Sequence, residues 1–219
     1  MCVLTMREVN EVIRTFLFDM DGTLVNTNEL ILSSFQYTAD QFFPGRYTRS
    51  DFISFIGEPL EMSFNRLDPA QMQQMVAMYR VHNSRHHDQM VTAFPFVLET
   101  LEKLRAGGSA LGVVSTKKRE MVMRGLTFTG MAGLFDTIVA GDDVTHFKPD
   151  PEPVKTAMQH LQALPETTLM VGDSPADILA GSRAHVRTAA VNWSLKSSAL
   201  RALRPDYWLG QMNELLQLA

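Results

Sequence analysis

The sequence predicts an α/β protein in which a parallel sheet, covered by helices on both faces, is interrupted after its first strand by a helical block. Three observations carry that expectation. Short apolar runs recur, each ending in a small or acidic residue, and helix-period stripes lie between them. From 26 to 90 the alternation stops and only helix-period stripes remain. The length of 219 residues fits, since at roughly 150 residues per domain it amounts to about one and a half domains.

The first strand is the run Ile13-Arg14-Thr15-Phe16-Leu17-Phe18, which stops at Asp19. In the block that follows, Ile31, Phe35 and Phe42 make one helical stripe, and Met72, Met75, Val76 and Tyr79 make another. Pro44-Gly45 and Gly57-Glu58-Pro59 punctuate the block as turns. Val97, Leu101 and Leu104 then predict a helix that ends before Gly107. Three buried strands are expected next: Leu111 to Val114 before Ser115, Thr137 to Ala140 before Gly141, and Thr168 to Gly172 before Asp173. Between the last two, Val154, Ala157, Met158 and Leu161 mark a helix, with Pro151 and Pro153 at its start, where proline is tolerated. Thr188 to Val191 adds a strand, and the apolar residues of 211–218 predict a closing helix. The expected organisation is a core of 1–25 and 91–219 with an insert at 26–90. No repeat or low-complexity tract is present.

Composition excludes several classes. With 45% hydrophobic, 20% charged and 9% aromatic residues, the chain can bury a core and is not disordered. The 20 Lys and Arg against 24 Asp and Glu give a net charge of −4, and no basic run offers clustered charge to nucleic acid or a membrane surface. A single cysteine, Cys2, can form neither an intrachain disulfide nor a thiolate zinc site, which fits a reducing compartment, with the cytoplasm expected. Arg7, Glu8, Glu11 and Arg14 break the apolar character of the first residues, and no later stretch approaches the roughly 18 apolar residues of a membrane span. Among the fourteen methionines, Met72, Met75 and Met158 sit on helical stripes and read as gap-filling core residues. Oligomeric state has no signature in the sequence.

Chemistry concentrates at strand ends. In Phe18-Asp19-Met20-Asp21-Gly22-Thr23 the two carboxylates are two residues apart, so they leave the strand end as a pair. Carboxylates held this close repel unless a cation or proton lies between them, which suits a divalent-ion and acid/base site. An isolated Asp-x-Asp is equally consistent with a solvated turn, so the other strand ends decide. Ligands of open parallel sheets lie beyond the carboxyl ends of the strands, where Asp19, Ser115 and Asp173 all emerge. Asp177 falls in the first turn of a helix opened by Pro175, and Lys148 stands in the rigid loop His146-Phe147-Lys148-Pro149-Asp150-Pro151. Its ammonium can neutralise anionic oxygens. Thr116 is an alternative to Ser115, because a strand-end frame can slip by one residue. His82 and His86 lie one helical turn apart, but without a cysteine nearby they read, with His87, as surface or hinge histidines. Trp193 and Trp208 are assigned to packing.

Asp19-Met20-Asp21-Gly22-Thr23, Ser115, Lys148-Pro149 and Gly172-Asp173-Ser174-Pro175-Ala176-Asp177 resemble, in order, the four motifs of the haloacid dehalogenase (HAD) superfamily of phosphohydrolases. The resemblance spans nearly the whole chain and implies a HAD-like Rossmannoid core with an inserted four-helix C1 cap at 26–90. It further implies that Asp19 is the nucleophile and Asp21 the general acid and base. Mg2+ would be held by Asp19, the Asp21 carbonyl and Asp173, with Asp177 in support. Ser115 would bind a phosphoryl oxygen, and Lys148 would stabilise charge in transfer. Four aspartates and one lysine sum to −3, so a divalent cation is needed before a phosphate dianion can approach.

Within that superfamily, the stretches 21–31, 55–60, 144–153 and Asn192-Trp193-Ser194-Leu195-Lys196 resemble the PpaX-type inorganic pyrophosphatases of Bacillus-related bacteria. Asn26-Thr27, where many family phosphatases carry Asp-Ser, favours that subgroup over its near relative phosphoglycolate phosphatase. The implied substrate is therefore a small phosphate, pyrophosphate first. Its distal phosphate calls for cations, and Lys117, Lys118 and Arg119 after Ser115, or Arg49 and Arg66 from the insert, are the candidates. Thr116 and Lys117 are the expected substrate contacts. The linkers near 26–28 and 90–94 are expected to act as hinges.

Overall fold

The computed structural model describes residues 12–219; Cys2, Arg7, Glu8 and Glu11 lie outside them. The main sheet contains β1 (Thr15–Phe18), β4 (Ala110–Val114), β5 (Thr137–Val139), β6 (Thr168–Gly172), β7 (Arg187–Val191) and β8 (Tyr207–Leu209). These six strands run parallel in the order β5-β4-β1-β6-β7-β8. The side chains of β1 alternate between two buried layers, as a strand covered on both faces requires. Phe16 and Phe18 join the layer under α4 (Val97–Ala106) and α5 (Arg119–Phe128). Leu17 joins Val154, Ala157 and Ala180 of α6 (Glu152–Leu161) and α7 (Pro175–Arg183) on the other face.

The first strand is shorter than the apolar run. Ile13 instead donates its backbone N–H to the Leu218 carbonyl at 2.8 Å, tying the strand's approach to the far end of the chain. Strand β8 was not legible, because Tyr207-Trp208-Leu209 is too short for a period to show and two of its three residues are only half buried. Trp208 packs there, with the Arg201 guanidinium of α8 (Ser197–Ala202) 5.3 Å above its ring. The closing helix of 211–218 proves to be a six-residue 3-10 helix, Met212–Gln217. A three-residue period brings both Met212 and Leu215 fully into the core, which is what the short segment has to bury.

The block at 26–90 contains four helical segments: α1 (Asn28–Phe42), a 3-10 helix (Arg49–Phe55), α2 (Leu60–Leu67) and α3 (Met72–Met90). They have their own aromatic centre. The Phe35 ring lies 5.5 Å from Phe52, 5.4 Å from Phe55, 5.2 Å from Phe64 and 4.8 Å from Tyr79. The block meets the sheet through a two-stranded antiparallel ribbon in which β2 (Val25–Asn26) pairs with β3 (Thr92–Ala93). Two residues per strand leave no periodic trace in a sequence, so this ribbon was not expected.

Candidate active site

Register places the site. Phe18 is level with Val113 on one side and Val171 on the other, so Asp19, Ser115 and Asp173 leave three neighbouring strands at one edge. All three are buried, at 7%, 4% and 3% exposure. Met20 then accepts the backbone N–H groups of Leu24 and Val25 at 2.9 Å, a tight loop that turns Asp21 back over the strand end. Gly22 makes the loop possible. Its φ is +83°, and a Cβ there would lie 2.4 Å from Asp173 Oδ2. Gly172 does the same for Asp177, whose Cβ would be 2.2 Å from an added methyl.

Lys148 gathers the acids. Its Nζ donates to Asp19 Oδ1 and Asp177 Oδ1, both at 2.6 Å, and to the Val114 carbonyl at 2.7 Å. Burial works against the ammonium, but the charges of Asp177 and Asp19 outweigh it and hold its pKa above the ordinary lysine value. Asp177 is fully committed, because Oδ2 accepts from Ser174 N at 3.0 Å and Ser174 Oγ at 2.6 Å. Asp173 is met by Ser194 Oγ at its backbone carbonyl, not at its carboxylate. Burial, reinforced by the charges of Asp19 and Asp177, raises its pKa well above the usual range. Asp19 is pushed up to about 7 by burial against the pull of Lys148, with Asp177 and Asp21 adding to the rise.

These carboxylates fit a hard divalent cation. Ligand oxygens of Asp19, Asp173 and Asp177 lie within 4.8 Å of one another, all buried, and the Asp173 carboxylate is offset through space by the charges of Lys196 and Lys148 without a hydrogen bond to either. The one other such group among the described residues, His146, Asp150 and Glu152, is more exposed. There Glu152 accepts from the backbone N–H groups of Thr145 and His146 at 2.8 and 2.9 Å. His82 and His86 form no metal group; their rings lie 4.3 Å apart and His86 Nδ1 is 2.8 Å from the His82 carbonyl.

Asp21 faces away from that cluster, toward the helical block. Its Oδ1 accepts from Thr27 Oγ1 and from Lys117 Nζ, each at 2.6 Å. Thr27 is an Asp21 partner that sequence reasoning passed over, since the loop that brings the two together leaves no local pattern. A cavity of about 620 Å3 opens from Asp21 between sheet and helices, lined by Phe35, Phe55, Tyr79, Thr116, Lys117 and Lys118 among others.

The other expected residues divide. Ser115 Oγ accepts from Lys117 N at 3.2 Å and stays at the strand end. Thr116 instead points its hydroxyl to the Gly57 carbonyl of the helical block at 3.2 Å. Three of the candidate cations are paired elsewhere: Arg119 with Asp143 at 2.5 Å, Arg49 with Glu29 at 2.6 Å, and Arg66 with Glu58 at 2.6 Å. Lys117 and Lys118 are the candidate cations that reach the cavity. Lys196, within a stretch that drew notice only by resemblance, proves to touch both the helical block and the environment of Asp173.

A parallel sheet with Asp19, Ser115 and Asp173 at three strand ends, a lysine bridging Asp19 to Asp177 and a helical insert above defines a hydrolase of the haloacid dehalogenase type. The chain belongs to the haloacid dehalogenase-like hydrolase family, whose model matches residues 16–191. Among named relatives it is 49% identical over 207 residues to "Pyrophosphatase PpaX" of Halalkalibacterium halodurans, covering 94% of this chain and 96% of that protein. It is 47% identical to the protein of the same name from Oceanobacillus iheyensis, with the same coverage. Of solved structures, a haloacid dehalogenase-like hydrolase from Bacteroides fragilis superposes with a TM-score of 0.86 at 29% identity, covering 93% of this chain and 99% of that one. A haloacid dehalogenase-like family hydrolase from Streptococcus pneumoniae gives 0.82 at 25% identity, with 94% and 97% covered.

Proposed function

We propose that this chain hydrolyses inorganic pyrophosphate to phosphate through an aspartyl-phosphate on Asp19, with Mg2+ as its cation. The observation that carries the phosphoryl-transfer reading is the buried Lys148 bridge between Asp19 and Asp177, with an Asp173 oxygen within 4.8 Å of theirs. The names of the relatives, together with Lys117 and Lys118 beside Asp21, support pyrophosphate as the substrate.

Each residue has a task that follows from its contacts. Lys148 holds Asp19 Oδ1, which leaves Oδ2 to attack phosphorus in line and form the new P–O bond while the bond to the leaving phosphate breaks. Asp21 Oδ1 is occupied by Thr27 and Lys117, which leaves Oδ2 to give a proton to the leaving oxygen and later to take one from a water that bonds to phosphorus as the bond to Asp19 Oδ2 breaks, freeing phosphate and the Asp19 carboxylate. Asp19, Asp173 and the Asp21 carbonyl would hold Mg2+, which supplies charge neutralisation for the incoming dianion. Asp177 supports this set by orienting Lys148, and Ser115 supplies a donor to a phosphoryl oxygen. The helices of 26–90 act as the cap, hinged at the ribbon of Val25–Asn26 and Thr92–Ala93. By resemblance, the pyrophosphate is that released when serine-phosphorylated HPr is dephosphorylated, and the compartment proposed is the cytoplasm. No described helix is long and apolar enough to cross a membrane.

A second reading, a phosphomonoesterase such as phosphoglycolate phosphatase, is favoured by one observation. The cavity beyond Asp21 has room, and apolar walls at Phe35 and Phe55, for an organic leaving group. A panel separates the two: phosphate release from pyrophosphate, phosphoglycolate and sugar phosphates, with and without Mg2+, with Asp19→Asn as control. Pyrophosphate turnover no better than that of the monoesters rejects the first reading, and activity retained by Asp19→Asn rejects the mechanism.

A further inference from the structure

Lys196 lies 24 residues beyond the end of β6, in the loop after β7, yet its side chain ends in the cap. Its Nζ donates to the Ile56 carbonyl and, at 3.3 Å, to the Ser54 carbonyl. Those carbonyls close the 3-10 helix Arg49–Phe55, where a helix leaves acceptors unpaired and carries partial negative charge. A basic residue within a helix's own last turn usually answers that need. Here this helix has no base there, and a lysine some 140 residues downstream does so instead.

The other end of the lysine is tied to the acid cluster. Lys196 N donates to Ser194 Oγ at 2.8 Å, and Ser194 Oγ donates to the Asp173 carbonyl at 2.5 Å. The half-buried ammonium loses hydration, and the negative charges of Asp173, Asp177, Glu58 and Asp19 are what oppose that cost. One residue beyond the latched carbonyls, Gly57 stands at φ +84° with its carbonyl held by Thr116 Oγ1 at 3.2 Å. The core therefore grips a single cap segment from two sides.

We propose that Lys196 is a positioning residue whose ammonium latches cap segment 54–57 to the sheet beside Asp173, so that cap closure responds to the charge at the aspartate site. The inference rests on the reading that these aspartates hold a divalent cation. A cation at Asp19 and Asp173 removes the negative charge that keeps the ammonium in place, and the latch loosens. A bound phosphate dianion restores that charge, and the latch closes again. Cation alone thus leaves the cap free to admit substrate, and substrate shuts it. By reciprocity, a cap held by Lys196 must weaken cation binding as much as the cation weakens the latch.

Hydrogen exchange at 52–58 reads the latch directly. In the unaltered protein it is expected to be slow without metal, faster with Mg2+, and slow again with Mg2+ plus inorganic phosphate. In Lys196→Met it is fast in all three states, while exchange in β1, β4 and β6 is unchanged. Calorimetry should show Mg2+ binding about fivefold tighter or more in Lys196→Met. Lys196→Arg should restore both readouts, and Thr116→Val, which releases the other grip, should quicken exchange at 52–58 without tightening Mg2+. Exchange at 52–58 that is the same in Lys196→Met and the unaltered protein overturns the latch. Unchanged Mg2+ affinity in that variant overturns the coupling. Because exchange without metal needs neither cation nor turnover, it decides the latch even if the unaltered protein binds no Mg2+, the result that would overturn the cation reading itself.

Discussion

Lys117 Nζ sits 2.6 Å from Asp21 Oδ1, joining the residue expected to meet the distal phosphate to the residue expected to protonate the leaving group. The lysine is therefore neither free in the cavity nor solvated; it is held where a leaving phosphate would emerge. A distal phosphate dianion offers it a stronger partner than a carboxylate already shared with Thr27. Lys117→Ala should raise KM for pyrophosphate about tenfold, ~1.4 kcal/mol of lost binding, while moving KM for p-nitrophenyl phosphate much less. Steady-state assays on both substrates check this, and equal effects would remove Lys117 from the distal phosphate.

Among the described residues, Lys148 is the one positive side chain that bonds directly to Asp19 and Asp177. Lys148→Met removes it and leaves the buried Asp19 and Asp177 carboxyl groups without their ammonium partner. The metal-free variant is expected to lose about 3–5 kcal/mol of stability at neutral pH, read by urea unfolding, because breaking a buried pair costs far more than the pair contributes. The loss should shrink in acid, where Asp19 holds its proton.

The Asp19 pKa of about 7 against an ordinary 3.8 sets a pH dependence. The folded chain holds a proton that the unfolded chain has released. This group's contribution to stability is therefore complete below the ordinary value and is lost as pH rises through about 7. A cation must displace that proton. The rise in Tm on adding Mg2+ should accordingly be larger near about pH 8 than near about pH 6, and calorimetry in buffers of different ionisation enthalpy should show proton release on binding at the lower pH. A Tm gain independent of pH would be incompatible with Asp19 as a ligand.

Gly22→Ala combines a left-handed backbone with a clash, since its Cβ would fall 2.4 Å from Asp173 Oδ2. Stability should drop by more than about 1 kcal/mol, and Mg2+ affinity should fall with it as Asp173 is pushed aside. Gly108→Ala, also at positive φ but with open space around it, serves as the control for backbone strain alone.

The fold was legible where elements are long or end in chemistry. Asp19, Ser115 and Asp173 each follow a buried run, so their shared edge could be read from order alone, and the structure brings them together. Phe35 and Tyr79 were legible as stripes because helices of more than ten residues repeat their period. What escaped was short or distant. Val25–Asn26 and Tyr207–Leu209 hold too few residues to show alternation. The Thr27–Asp21 and Lys196–Ile56 bonds depend on how loops fold back across the strand ends, which no local pattern encodes. Thr116 shows the limit within a single residue: a strand-end hydroxyl could be expected there, but not that it would turn to the cap rather than the acids.

The aromatic cluster around Phe35 gives the helical insert an interior that shares no residue with the layers on either face of the sheet. Mutation can therefore alter the insert's site-facing surface while the strand ends that carry Asp19, Ser115 and Asp173 keep their spacing. The two halves are separable for redesign: the acids and Lys148 are locked by one another, whereas a cavity-lining side chain outside the aromatic interior, such as Met62, can be exchanged without touching either.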